Sequence, residues 1–278
     1  MTHPAFALTQ HGWLRRLLRP WSLLMRTSER GLIIFAAVGA ALRLAVRPST
    51  WNRAVREELA RQVINAGLFA VPAAALAGIG VGVFIVVQAQ QWLDRLGHVS
   101  LLGPLLVVGV VREIAPLVTN LLVIGRSGSS MTTEVANMKM LGDVDLLEAQ
   151  GIDPFVYLVV PRILGMGIAV LCLNLIVLLV SLISGRLLVL IVSSDPTPMV
   201  AFADNVLRSL EVIDVFNLLA KTVLTGMLTG AICCVTGLQA APHPLAVAAA
   251  SRASFMRCMA ALLTVSGFVS LSMYLDLV

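Results

Sequence analysis

Four stretches of this chain carry no charged residue, Ala66–Val87, Ile163–Gly185, Thr222–Ala241 and Cys258–Leu275. Each is of the order of the ~20 apolar residues that a helix needs to cross the hydrocarbon core. A fifth run, Leu101–Gly125, is as long but is broken at its centre by Arg112-Glu113. The chain is 58% hydrophobic and 13% charged, with a mean hydropathy of +0.92. Such a composition belongs to membrane proteins and excludes a water-soluble domain. The expectation is an all-α integral membrane protein, with N-terminal interfacial helices followed by five transmembrane helices.

Before the first crossing, Arg15, Arg16, Arg19, Arg26 and Arg30 precede an apolar stretch of only Gly31–Leu42. No small-residue cleavage site follows before Arg43 and Arg47, so a signal peptide is not expected. With Trp13, Trp21 and Trp51 around it, the stretch reads as a helix lying in the interface. Asn52–Asn65 is polar and reads as an elbow. Residues 1–65 are therefore expected to form interfacial and elbow helices, and residues 66–278 the five-helix domain. Ten of the twenty Lys and Arg residues precede Ala66, which argues for a cytoplasmic N-terminus and, after five crossings, an outer C-terminus. The outer loops hold Arg95 and Arg208. The net charge of +5 then reports topology, not nucleic-acid binding. Cys172, Cys233, Cys234 and Cys258 lie in or beside apolar runs without metal-ligand spacing and read as small hydrophobic filler.

Small residues recur at every fourth position along the first crossing, at Ala70, Ala74, Gly78 and Gly82. The fourth crossing has Gly226-x-x-x-Gly230 and the third Ser181-x-x-x-Gly185. This spacing lets backbones approach closely, either within one subunit or along a dimer seam. Pro72, Pro104, Pro116 and Pro161 can each kink a crossing. Arg112 and Glu113 are costly at mid-bilayer, about 2.5–3.5 kcal/mol per charge on insertion scales. They point about 100° apart on a helix, so each needs a partner elsewhere; Lys221 is a candidate for Glu113. The pair reads either as a buried register lock or as the polar wall or gate of a substrate cavity. Residues 193–216 read as an amphipathic element on the outer surface.

Between the second and third crossings, from about 126 to 160, lies an acidic loop carrying Glu134, Asp143, Asp145, Glu148 and Asp153, with Lys139 as the only base between Ser127 and Val160. Such a loop suits docking onto a soluble partner. The chain lacks the phosphate-cradling Gly-x-x-x-x-Gly-Lys-[Ser/Thr] loop. One enzyme-like motif occurs: Gly125-Arg126-Ser127-Gly128 matches the serine motif of rhomboid-type intramembrane proteases, with His243 as the conceivable base.

The stretch Arg112-Glu113-Ile114-Ala115-Pro116, then Gly125-Arg126-Ser127-Gly128-Ser129, Thr133-Glu134, Met138-Lys139 and Gly151-Ile152-Asp153-Pro154 through Pro161-Arg162 resembles the MlaE/YrbE permeases. These are the membrane subunits of ABC transporters that work with MCE proteins. The resemblance implies a homodimer in the bacterial inner membrane with a pair of cytoplasmic ATPase subunits, often a small STAS-domain protein, and a periplasmic MCE hexamer. It implies lipid cargo, no cofactor in this chain, and ATP and Mg on the partner ATPase. On that basis the loop from Glu134 to Glu148 is the coupling element, and Arg112, Glu113 and Pro116 line a lipid cavity. Two places depart from the family pattern, Gly142-Asp143 and Pro242-His243-Pro244.

Overall fold

The computed structural model describes residues 31, 33–47, 52–96, 102–192 and 199–275. A short apolar helix, α1 (Ile33–Val46), precedes five helices long and apolar enough to cross a bilayer. These are α2 (Arg53–Leu93), α3 (Leu102–Leu141), α5 (Phe155–Ile191), α7 (Val212–Leu238) and α8 (Pro244–Ser272). Two short helices join them: α4 (Asp143–Ala149) follows α3, and α6 (Met199–Arg208) precedes α7. No strand occurs among the described residues. The chain is an all-α integral membrane protein. Trp13, Trp21, Trp51 and the first five arginines lie outside the described residues.

Helices α2, α3 and α5 hold 41, 40 and 37 residues. At ~1.5 Å per residue each is nearly twice the ~30 Å hydrocarbon thickness, so polar ends must stand beyond it. The elbow expected over Asn52–Asn65 is the first part of α2, set off by a tight turn at Leu68–Ala70. The loop expected over about 126–160 is mostly helix, because α3 continues unbroken to Leu141. Its hydroxyls satisfy themselves along the helix: Ser129, Thr132 and Thr133 donate to the carbonyls of Gly125, Gly128 and Ser129 at 2.7, 3.0 and 2.9 Å. Only at Gly142, with φ of +83°, does the chain turn into α4, and Gly151 (φ +76°) ends that helix.

Close approach organises the bundle. A Cβ on Gly78 would stand 2.9 Å from the Val177 carbonyl of α5, and one on Gly82 would overlap the Ser181 carbonyl. One on Gly185 would press Val86 Cβ at 2.5 Å. Ala74, fully buried, belongs to the same stripe. Gly226 and Gly230 of α7 abut the Cα atoms of Gly167 and Ile163, each 3.0 Å from the position a Cβ would take. Both small-residue seams therefore pack α5 against its neighbours within one chain, and no second subunit is needed to bury them.

Pro116 and Pro161 each follow a widened helical turn, Val107–Ile114 and Phe155–Val159. A proline gives no N–H to the carbonyl four residues back and crowds it, which opens the preceding turn.

Candidate functional site: a charge centre between crossings

Arg112 and Glu113 sit in the widened turn of α3. Pro116 cannot bond the Arg112 carbonyl, and Lys221 of α7 takes its place with Nζ 3.0 Å from that oxygen. The same ammonium donates to Glu113 Oε1 at 2.7 Å and to Ser270 Oγ of α8 at 2.7 Å. Three donors meet three acceptors, so a lysine only 1% exposed keeps its charge satisfied. Ser270 Oγ also lies 2.9 Å from Glu113 Oε1. The partner expected for Glu113 is thus in place, and Ser270 is an additional member.

Arg112 points away from Glu113 and pairs through Nε with Asp214 in the first turn of α7. Asp214 Oδ2 accepts the Glu211 N–H at 2.9 Å, so one carboxylate both caps α7 and holds Arg112. Within the segment expected over 193–216, Asp214 turns inward. Residues 193–198 lie outside the described residues, and α6 does expose Val200 and Leu207, but Asp214 is 1% exposed inside the bundle. Asp214, Asn217 and Lys221 follow helical spacing on one face. That spacing opposite Arg112-Glu113 is the signal a sequence reading passes over. Two cations and two carboxylates leave the centre neutral. Beside it, an apolar cavity of about 350 Å³ opens between α5, α6 and α7, with Leu178, Phe202 and Leu218 in its wall and Val111 and Asp214 at the charge centre's side.

A second cluster joins the polar ends of three helices. Arg162 of α5, fully buried, reaches Glu134 Oε1 at 2.6 Å and Glu58 Oε1 at 3.5 Å, and donates to the Leu158 carbonyl at 3.2 Å. Glu134, half-exposed on the helical stem of α3, therefore ties that stem to Arg162 of α5, which in turn reaches the elbow through Glu58. Asp143, Asp145 and Glu148 do sit at the exposed tip on α4, with Leu141 and Leu146 also exposed, and Asp145 pairs with Lys139 at 2.9 Å. Asp153 Oδ1 accepts the Phe155 N–H at 2.9 Å and caps α5.

Ser127 and His243 are engaged separately. Ser127 Oγ donates to the Ala66 carbonyl at 3.4 Å, and His243 Nδ1 accepts the Ala246 N–H at 3.1 Å at the start of α8. The nucleophile–base contact of a serine hydrolase is not formed. The four cysteines are free thiols, and no cluster of metal-ligating groups occurs among the described residues.

Five crossings, a braced polar stem and an exposed acidic tip make a multi-pass membrane protein. A family model described as "Permease MlaE" matches residues 59–272. The chain belongs to this permease family. It is 29% identical over 207 residues to a probable ABC transporter permease protein of Rickettsia felis, covering 74% of this chain and 76% of that one. A probable ABC transporter permease protein of Synechocystis is 30% identical over 163 residues, 57% of this chain and 59% of the relative. The chloroplastic protein TRIGALACTOSYLDIACYLGLYCEROL 1 of Arabidopsis thaliana is 29% identical over 161 residues, 57% of this chain and 45% of the relative.

Proposed function

We propose that this permease moves phospholipids or related lipids between the inner membrane and a periplasmic MCE protein hexamer, powered by a partner ATPase. The observation that carries the reading is the neutral charge centre linking α3, α7 and α8 beside an apolar cavity. A polar wall next to an apolar hollow matches an amphipathic cargo, and a relative that carries the name of a diacylglycerol galactolipid supports a lipid one.

In this reading two copies assemble as a homodimer with the N-terminus cytoplasmic and the C-terminus periplasmic. Cytoplasmic ATPase subunits, which bind ATP and Mg, dock on α4 through Asp143, Asp145 and Glu148 and the exposed Leu141 and Leu146, with Lys139 fixing Asp145. Glu134 and Asp153 act behind that surface by bracing α3 and capping α5. Arg112, Glu113 and Pro116 form the wall or gate of the lipid path, and a STAS-domain protein accompanies the ATPase. Ser127 and His243 face separate partners, which leaves the hydrolase alternative without support.

Affinity purification from native membranes, with mass spectrometry of bound proteins and lipids, tests the proposal. An ATPase, an MCE protein and stoichiometric phospholipid are expected. Recovery of the chain with none of them would overturn it.

A further inference from the structure

The segment Gly125-Arg126-Ser127-Gly128-Ser129 plays no part in the charge centre or the α4 tip. It begins where the apolar run of α3 ends, and it lies against the elbow, with Ser127 bonded to Ala66. Between the two is a pocket of about 270 Å³ whose wall includes Gln62, Asn65, Phe69, Arg126, Ser130 and Glu134.

The charges around this pocket do not cancel. Glu134 and Glu58 are held by Arg162 at 2.6 and 3.5 Å, and Arg61 lies 4.0 Å from Glu58. These two carboxylates and two guanidinium groups balance. Arg126 is left over: it is exposed and pairs with no carboxylate among the described residues. Gln62 Nε2 is committed to Glu58 at 2.8 Å, which leaves the Asn65 amide and the Ser130 hydroxyl as neutral donors facing the space. At one rim the wall turns apolar, where Phe69 is 56% exposed.

We propose that this pocket binds the phosphate of one anionic phospholipid from the leaflet on the α4 side. A guanidinium flanked by an amide and a hydroxyl matches a phosphate diester, which accepts two N–H bonds from one arginine and more from neutral donors. The volume equals about nine waters at ~30 Å³ each, room for a headgroup but not for acyl chains. Those chains lie outside, along the exposed Phe69. The depth is also right, since arginine at the end of a crossing meets the headgroup layer. The leaflet is cytoplasmic under the orientation proposed above, but the site stands apart from the charge centre, so its failure would leave the transport reading intact.

Native mass spectrometry of the delipidated full-length chain, titrated with phosphatidylglycerol, phosphatidylcholine or inorganic phosphate, tests the site. One phosphatidylglycerol per chain is expected, held more tightly than phosphatidylcholine. Arg126→Gln should weaken it about tenfold, the loss of one charge-assisted contact. Arg126→Lys should retain part of the affinity, and Arg53→Gln, at an exposed arginine already paired with Glu57, should change nothing. Asn65→Leu with Ser130→Ala keeps the charge and should weaken binding less than Arg126→Gln. Wild-type binding in Arg126→Gln, or an equal loss in Arg53→Gln, would overturn the proposal. Displacement of the lipid by equimolar inorganic phosphate would assign the site to a free anion and overturn the lipid.

Discussion

Lys221 Nζ lies 2.7 Å from Glu113 Oε1, and the two residues belong to different crossings, α7 and α3. The lysine side chain is 1% exposed and the glutamate 30%, so the two single substitutions differ in cost. Glu113→Gln strands a buried ammonium and is expected to destabilise by about 3–5 kcal/mol. Lys221→Met leaves a partly exposed carboxylate that keeps its Ser270 contact, at about 1–3 kcal/mol. The double substitution removes both charges and should recover most of the loss. Thermal unfolding in detergent orders the three variants; a harsher Lys221→Met would contradict the geometry.

Arg162 should be the least replaceable residue of the polar stem. Arg162→Met leaves Glu58 and Glu134 facing each other with no cation between them, at about 3–5 kcal/mol. Glu134→Gln should cost about 1 kcal/mol, because its side chain is 46% exposed. The same melting measurement, made on both, tests the bracing role.

The α2–α5 seam predicts opposite responses at two glycines on one helix. Gly82→Ala forces its methyl into the Ser181 carbonyl and should destabilise by about 1–3 kcal/mol. Gly80→Ala meets nothing within 4 Å and should be neutral or stabilise by up to about 1 kcal/mol, as helix propensity expects. Equal effects at the two positions would sink the packing assignment.

At the tip of α4, charge reversal at Asp145 and Glu148 should leave the fold intact, since exposed substitutions stay within about 0.5 kcal/mol. Coupling should nevertheless fail. Insertion and melting are expected to match wild type, while lipid-stimulated hydrolysis by the partner ATPase falls. Full stimulation in the double variant would remove α4 from the docking surface.

Much of this structure was legible in the chain because the bilayer restricts the answers. Uncharged runs of crossing length left little alternative to five helices, and a charged dipeptide in one of them required partners inside the bundle. Lys221 could be named because it is a lone cation at the edge of another apolar run. Asp214 could not, because it follows a polar, proline-containing stretch and reads as surface, although its spacing to Lys221 is helical. Glu134 misleads for a related reason. The Ser- and Thr-rich stretch around it resembles a loop until its hydroxyls are seen bonding back along α3. The small-residue stripes announced close packing but not their partner, since a neighbouring helix and a second subunit demand the same side chains.

The proposed transport cycle draws its energy from another subunit. The most direct test follows labelled phospholipid leaving proteoliposomes that contain this chain alone, or this chain with the ATPase and MCE proteins proposed as its partners. Transfer only from the full assembly, only with ATP and Mg, and reduced by Glu113→Gln is the predicted result. Transfer at the same rate by the isolated chain without nucleotide would contradict it.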